Sequence, residues 1–203
     1  MTGGDEDWVP SEVTLICGVD EVGRGSLAGP VASAAVIFKR GIYIPGVDDS
    51  KKLSPNKRLE LFPEILKHSV SASIGYVDSF LIDTWGINYA VTLAMYRAIT
   101  SLSVMPDWVL VDGYPIPELP FPQTAIKGGD GLSHAIGAAS ILAKVLRDRV
   151  MEFFDIIFPG YDFAKNKGYG TAAHMKRIKD CGATKIHRKS FAPLRELINE
   201  FQG

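Results

Sequence analysis

The chain has 203 residues, a formal net charge of −1 and a hydrophobic content of 46%. These values predict a single sizeable globular domain, and no apolar stretch is long enough to span a bilayer. Residues 1–11 are acidic and lack a basic segment, so we expect a flexible tail rather than a secretory signal. The two cysteines, Cys17 and Cys181, lie far apart, which favours free thiols in a reducing cytoplasm over a disulfide or a cysteine-bound metal.

Strand and helix patterns alternate along the chain without internal repeats. The predicted strands are short and rich in Val, Ile and Ala, and a glycine-rich turn joins the first two. The helices are marked by apolar residues at helical spacing and by serine, proline or glycine at their ends. In chain order the predicted elements are strands 13–19 and 31–38, helix 54–67, strand 71–77, helix 88–102, strands 108–111 and 124–126, and helices 133–158, 171–181 and 193–201.

This order of elements predicts an α/β fold in which a mixed β-sheet is flanked by helices. No segment has the composition of a linker, so residues 1–203 are expected to form one domain. The helices after about residue 160 are expected to form a C-terminal helical extension.

Four carboxylates lie at the ends of predicted elements, where the active sites of α/β proteins collect. Asp20 and Glu21 end the first strand, Asp112 ends the fourth and Asp130 precedes the long helix. Buried carboxylates need a compensating charge, and a hard divalent cation is the natural candidate. Because no histidine or cysteine ligand pattern accompanies them, the set favours Mg²⁺ or Mn²⁺ over Zn²⁺, and two such ions would form a phosphodiester-cleaving centre.

Each of these carboxylates also has an ordinary structural interpretation. Asp20 and Glu21 would suit a solvated turn, Asp112 would suit a tight turn with Gly113, and Asp130 would suit a cap of the long helix. The first pair poses a geometric problem, because adjacent residues of a strand point to opposite faces of a sheet. Either the chain bends at this pair or Glu21 contributes differently from Asp20.

Positive charge is concentrated in the second half of the chain. Twelve basic and five acidic residues lie between Lys144 and Arg195, which is a footprint expected for a polyanion such as nucleic acid. Ordinary solvated helix faces are the alternative. Near the acidic pair, Gly23 and Gly25 allow close backbone approach to another molecule, and Arg24 between them suits phosphate recognition.

Six groups of short motifs occur in order between about residues 17 and 193. They are DEVGRGSLAGPV at 20–31, DSKKLS at 49–54, VDG at 111–113, AASILAKV at 138–145 with RD at 147–148, KGYGT at 167–171, and IHR at 186–188 with SF at 190–191. This collinear set closely resembles the signature of type 2 ribonuclease H, also called ribonuclease HII. The resemblance implies a ribonuclease H-like fold and endonucleolytic cleavage of RNA in RNA–DNA hybrids, including cleavage 5′ of a ribonucleotide embedded in duplex DNA.

The resemblance also implies roles for individual residues, with the C-terminal helical part helping to bind the substrate. The four matching carboxylates would hold two Mg²⁺ or Mn²⁺ ions, and a loop at residues 50–52 would cradle a phosphate unless it is a plain ion-paired turn. The matching substrate contacts are Gly23, Arg24 and Gly25 near the scissile bond, Tyr169 at the ribose–deoxyribose junction, and Ser50, Lys51, Lys144 and Arg188.

Two positions depart from the family pattern. Leu132 stands where a lysine is frequent, which removes one substrate contact, and Ser26 stands where proline is frequent. Two other functions stay open: another two-metal nuclease or integrase on the same fold, and a hybrid-binding protein without turnover. The acidic set disfavours the second, because a mere binder gains nothing from acids near phosphates. We expect a monomer that acts in the cytoplasm.

Overall fold

The computed structural model describes residues 4–47 and 52–197. Within these ranges one mixed sheet forms the centre of the molecule. Its strands are β1 (Leu15–Val22), β2 (Val31–Lys39), β3 (Ser71–Val77), β4 (Trp108–Asp112) and β5 (Gln123–Ile126), in the spatial order β3-β2-β1-β4-β5. β2 is antiparallel to both of its neighbours, whereas β4 is parallel to both of its neighbours.

The parallel pairing of β1 with β4 determines where two of the predicted carboxylates lie. The register of this pair ends with Val19 opposite Val111. Asp20 and Asp112 are the next residues on the two strands. Because parallel strands run in the same direction, their carboxyl ends meet at one edge of the sheet.

Helices cover both faces of the sheet, and most begin and end at the residues that the sequence indicates. Ser54, Ser133 and Thr171 each accept a hydrogen bond from the backbone of the helix that follows, as N-cap residues do. The helices are α1 (Pro55–His68), α2 (Ser79–Trp85), α3 (Ile87–Thr100), α4 (His134–Ile157), α5 (Phe163–Asn166) and α6 (Ala172–Cys181), with 3₁₀-helices at Asp5–Trp8 and Gly129–Gly131.

Alternate residues of the central strands supply two separate hydrophobic layers. Ile16 and Val36 face the layer formed with α1 and α4. Cys17 and Ala35 face the layer formed with α3. This alternation follows from the period of two along a strand, and it confirms the predicted mixed sheet flanked by helices.

The first turn of α4 lies directly against β1. A side chain at Gly18 would overlap the backbone of Ala135, so only glycine permits this approach. The contact aligns α4 with the end of β1 and places Ser140 within hydrogen-bonding reach of Asp20.

A third hydrophobic cluster attaches the C-terminal part of the chain to α4. Met151 of α4 packs with Tyr161, Phe163 of α5 and Ile178 of α6, and with Ile186. Among the described residues, no helix combines the length and the hydrophobicity that crossing a membrane requires.

Three elements differ from the sequence-based expectations. Residues 5–8 lie in the expected flexible tail, yet they form a 3₁₀-helix whose Asp5 is buried. Asp5 accepts hydrogen bonds from the Ser133 hydroxyl over 2.6 Å and from the Ala135 backbone N–H over 3.1 Å, which fixes the segment to the start of α4. α2 and α5 were not predicted. The expected helix at 193–201 lies partly outside the described residues.

We expect the buried His134 to make the protein less stable in acid. Burial lowers the pKa of His134 to about 4, and its Nε2 accepts a hydrogen bond from the Ile44 backbone N–H over 3.2 Å. Between pH 6.5 and 4 this histidine binds more protons in the unfolded state, so its contribution to the free energy of unfolding falls as the pH falls, by up to about 3 kcal/mol.

The variant His134→Gln should show a weaker dependence over the same pH range, because glutamine can accept the Ile44 hydrogen bond without titrating. The measurement is urea unfolding at several pH values for both proteins, with His68→Gln, at an exposed histidine of α1, as the control. Parallel curves for wild type and His134→Gln would contradict this prediction.

Candidate active site

Three of the four predicted carboxylates meet at the carboxyl ends of β1 and β4. Asp20, Glu21 and Asp112 each offer an oxygen atom, and these atoms all lie within 4.8 Å of one another. Asp20 is buried with 4% of its surface exposed, whereas Glu21 and Asp112 are half-buried. Three carboxylate oxygens this close together suit a divalent cation with oxygen ligands.

Asp20 and Glu21 reach the cluster from different faces of a regular strand. β1 stays paired with β2 through Val22, so the chain does not bend at the acidic pair. Asp20 hydrogen-bonds with Ser140 of α4, while Glu21 lines a cleft of about 580 Å³ on the side of α3. The structure therefore supports the second expected alternative, in which Glu21 contributes differently from Asp20.

Burial and like charges act together on Asp20. Burial, then the neighbouring Glu21 and Asp112 carboxylates, raise the pKa of Asp20 well above its ordinary value. The Glu21 backbone N–H donates to Asp20 Oδ1 over 2.6 Å and lowers this pKa in part. Two full charges 4.8 Å apart repel by roughly 3 kcal/mol at an effective dielectric constant of about 20, which exceeds one ordinary hydrogen bond.

Asp130 lies outside the group of three carboxylates whose oxygen atoms approach one another within 4.8 Å. It is buried in the 3₁₀-helix Gly129–Gly131. The backbone N–H of Gly129 donates to Asp112 Oδ1 over 2.7 Å, so this 3₁₀-helix is attached to the cluster through the residue before Asp130.

The loop of residues 23–30, called here the recognition loop, follows β1 directly. Gly23 is buried with φ of 89°, and a side chain there would overlap Arg147. Arg24 and Gly25 are exposed. Arg24 lies 3.9 Å from the Glu21 carboxylate and hydrogen-bonds to Asn88 of α3, so the exposed part of the loop borders the carboxylate cluster.

Arg147 of α4 is fully buried beneath the recognition loop. Its guanidinium donates to the Pro30 carbonyl over 2.9 Å, to the Ser26 hydroxyl over 2.9 Å and to the Ala28 carbonyl over 3.3 Å. The serine at position 26 therefore supplies an acceptor that a proline would lack.

Arg188 is also fully buried, although the resemblance assigned it a substrate contact. It donates to the Arg24 carbonyl over 2.9 Å and to the Gly29 carbonyl over 3.0 Å. Burial and the nearby Arg147 lower the pKa of Arg188 to about 9, which leaves it charged at neutral pH. In this structure Arg188 supports the recognition loop and is not available to a phosphate at the surface.

Tyr169 lies in the segment of residues 167–171, called here the tyrosine loop, and 39% of its surface is exposed. The backbone N–H groups of Leu27 and Ala28 donate to the Gly168 carbonyl over 2.8 Å and 3.2 Å. The Arg147 guanidinium lies 5.9 Å from the centre of the Tyr169 ring. The tyrosine loop and the recognition loop are thus neighbours.

Of the remaining predicted contacts, Lys144 donates to Asp148 over 2.6 Å on the surface of α4. Ser50 and Lys51 lie outside the described residues. Sequence reasoning missed the supporting roles of Ser140, Arg147 and Asn88. The signal for Arg147 was a charged residue among the apolar positions of α4, whereas nothing local marked Asn88.

Comparisons with known proteins give matches in both sequence and structure. The family model described as Ribonuclease HII matches residues 17–194. A ribonuclease HII from Caldicellulosiruptor saccharolyticus is 52% identical over 187 residues, which cover 92% of this chain and 91% of that protein.

Two solved structures share the fold. Ribonuclease H2 from Pyrococcus horikoshii OT3 gives a TM-score of 0.78 at 24% identity, covering 93% of this chain and 99% of that chain. The structure of a PCNA:RNase HII complex from Archaeoglobus fulgidus gives 0.71 at 27% identity, covering 86% and 93%. The sequence and family matches place the chain among the ribonucleases H, metal-dependent nucleases of RNA–DNA hybrids. Within this class the chain belongs to the ribonuclease HII family, and it is an endonuclease.

Removing one charge from the carboxylate cluster should stabilise the protein without metal and weaken its response to metal. The variant Asp112→Asn keeps an oxygen acceptor for the Gly129 N–H but loses a charge that raises the pKa of Asp20. We expect a higher Tm in EDTA and a much smaller rise in Tm on adding Mn²⁺ than in wild type. Differential scanning calorimetry measures both quantities.

The matched control is Glu12→Gln, which removes one exposed carboxylate elsewhere and should leave the Mn²⁺ response unchanged. The assignment of the cation site fails if Mn²⁺ raises the Tm of Asp112→Asn as much as that of the wild type.

Proposed function

We propose that this endonuclease hydrolyses the RNA strand of RNA–DNA hybrids and cuts 5′ of ribonucleotides embedded in duplex DNA, leaving a 3′-hydroxyl and a 5′-phosphate. Its role would be the removal of ribonucleotides and the processing of primers. The observation that carries this proposal is the carboxylate cluster of Asp20, Glu21 and Asp112 beside the exposed Arg24 and Gly25.

The cluster fits a divalent metal, and we propose Mg²⁺ or Mn²⁺ with two ions at the site. The donors are hard carboxylate oxygens within 4.8 Å of one another, and a cation beside them would offset the burial and like charges that raise the pKa of Asp20. Asp130, which is linked to Asp112 through Gly129, would hold the second ion. When bound, such ions supply Lewis acidity and neutralise charge that develops on the phosphate.

The recognition loop supplies a means of selecting ribose. Arg24 and Gly25 are exposed at the rim of the cluster, and the Arg24 carbonyl is fixed by Arg188 over 2.9 Å. A 2′-hydroxyl both donates and accepts hydrogen bonds, so backbone groups held at a fixed position can distinguish it from the hydrogen of deoxyribose. Gly25 has no neighbouring atoms within 4 Å of where a Cβ would lie, which leaves the space open to a substrate.

In this proposal the tyrosine loop supplies a second contact with a sugar of the substrate. A tyrosine ring can pack against a deoxyribose while its hydroxyl reaches a phosphate or ribose. The 39% exposure of Tyr169 and its position beside the recognition loop support this role. Ribose would thus be required on one side of the cut and deoxyribose favoured on the other.

We also propose that the enzyme works as a monomer in the cytoplasm. All members of the carboxylate cluster and both loops come from one chain. The thiols of Cys17, which is buried, and Cys181, which is exposed, are both free, which suits a reducing compartment.

The variant Asp112→Asn should lose cleavage of a duplex with one ribonucleotide by at least about a thousandfold in kcat, because a metal ligand is removed. Binding of the same duplex should persist, since the recognition loop is untouched. Cleavage is measured with Mg²⁺, and binding is measured with Ca²⁺, which we expect to bind without supporting turnover. Cleavage by Asp112→Asn at the wild-type rate would refute the site, and cutting of all-DNA duplex by wild type would indicate another nuclease.

The variant Tyr169→Ala should lower kcat/KM for the single-ribonucleotide duplex about tenfold or more, and proportionately less for an all-RNA strand paired with DNA. The reason is that only the first substrate presents a deoxyribose to the ring at each cut. Tyr169→Phe is the matched control, because it keeps the ring and removes only the hydroxyl. Equal fractional losses on both substrates would make Tyr169 a general structural residue.

A further inference from the structure

Two buried histidines connect the tyrosine loop to the segment that precedes Arg188. His174 of α6 has its Nδ1 2.9 Å from the carbonyl oxygen of Tyr169, and its Nε2 lies 3.0 Å from Nε2 of His187. The backbone N–H of Thr184 donates to Nδ1 of His187 over 2.9 Å. Each histidine is 1% exposed, so water does not compete for these hydrogen bonds.

The two ends of this chain of hydrogen bonds determine where the protons lie. A carbonyl oxygen carries no proton, so Nδ1 of His174 must donate to Tyr169. A backbone N–H cannot accept, so Nδ1 of His187 must be the bare nitrogen. Therefore Nε2 of His187 donates to Nε2 of His174. One pair of neutral tautomers satisfies every contact, and an added proton on either ring would place two N–H groups against each other.

The surroundings of the two rings favour the same neutral state. The ring of Phe163 lies 5.3 Å from that of His174 and 5.7 Å from that of His187, and Tyr161 packs against both. Burial lowers the pKa of both histidines, and the neighbouring imidazole helps to bring that of His187 to about 4. Both rings are therefore neutral at physiological pH, and the chain of hydrogen bonds keeps one direction.

The segment held by His187 also holds the recognition loop. Arg188 donates from its backbone to the Leu27 carbonyl over 2.8 Å and from its side chain to the Arg24 carbonyl over 2.9 Å. A continuous set of contacts therefore runs from the Tyr169 carbonyl through the two histidines and Arg188 to the Arg24 carbonyl. This set of contacts joins Tyr169 and Arg24, the two residues that are proposed to contact the sugars of the substrate.

We propose that His174 and His187 are positioning residues, which hold Tyr169 at a fixed place relative to Arg24 and so set the spacing between the two sugars that the enzyme reads. This inference rests on the proposed substrate contacts of Tyr169. Neither histidine touches the substrate, because both are enclosed by Tyr161 and Phe163. The effect is transmitted by the backbone of Tyr169, whose carbonyl is the atom that His174 binds.

The test is a double-mutant cycle between His174→Phe and Tyr169→Ala. Phenylalanine keeps a ring in the aromatic surroundings but cannot donate to the Tyr169 carbonyl. We expect His174→Phe to lower kcat/KM for the single-ribonucleotide duplex about tenfold in the wild-type background and less than twofold in the Tyr169→Ala background. The same cycle is measured on the Kd of this duplex in Ca²⁺, which does not depend on cleavage.

Two further variants separate positioning from folding. His174→Asn places an amide N–H near the position of Nδ1 and should restore most of the loss, since it can donate to the Tyr169 carbonyl. His134→Phe alters another buried histidine that accepts a backbone N–H, and it should lower Tm without changing the preference between the two substrates. All assays are made about 15 °C or more below the lowest Tm of the set, so that every variant is fully folded.

Equal losses from His174→Phe in the two backgrounds would overturn the positioning role and leave the proposed function standing. An unchanged kcat/KM and Kd in Tyr169→Ala would overturn both the substrate contact of Tyr169 and the positioning role. Absence of any cleavage by the wild type would count against the proposed activity, and the Kd cycle would then decide the positioning role alone.

Discussion

The structure depends on holding like charges together at the end of two parallel strands. β1 and β4 end side by side, and their register leaves Asp20 and Asp112 adjacent. Glu21 joins them from the other face, with all three oxygens within 4.8 Å. When all three are ionised, each pair of charges repels by roughly 3 kcal/mol, which is a large fraction of the stability of a typical domain. The sheet must therefore be rigid enough to resist separation of the two strands.

The packing of α4 supplies part of that rigidity. Gly18 lets the backbone of α4 contact β1 directly, and Asp5 attaches the N-terminal segment to the same turn of the helix. Further along α4, Ser140 hydrogen-bonds with Asp20, and Arg147 supports the recognition loop. One helix thus positions both the carboxylate cluster and the loop beside it.

The sequence predicted the sheet and most helix boundaries, and three of the four carboxylates that it singled out lie close together in the structure. These features depend on local sequence. The composition of a segment indicates a strand, and the N-cap residues Ser54 and Thr171 mark the starts of two helices. The features that the sequence could not predict depend on tertiary contacts. Arg188 was expected to contact the substrate, but the structure places it under the recognition loop, where the Arg24 and Gly29 carbonyls accept hydrogen bonds from its guanidinium.

The same limit applies to the acidic residues. Alternation along a strand made a bend at Asp20 and Glu21 one of two possibilities. Only the strand register and the cleft beside α3 show that the strand stays regular and that Glu21 lies on the side of α3. Residues 5–8 looked like a tail because they are acidic and precede the first strand. Their burial comes from Ser133 and Ala135, more than a hundred residues away in the sequence, which no local pattern reveals.

The hydrogen bonds around the cluster also explain how it is prepared for a cation. The Gly129 N–H binds Asp112, the Glu21 N–H and Ser140 bind Asp20, and Arg24 lies 3.9 Å from Glu21. Each of these groups compensates part of a charge and at the same time orients a carboxylate. Two of these groups are backbone N–H groups, one at the carboxyl end of β1 and one in the 3₁₀-helix Gly129–Gly131, so the fold sets their positions. A divalent ion bound there would meet carboxylates that already face one another, so little of its binding energy would be spent on assembling the site.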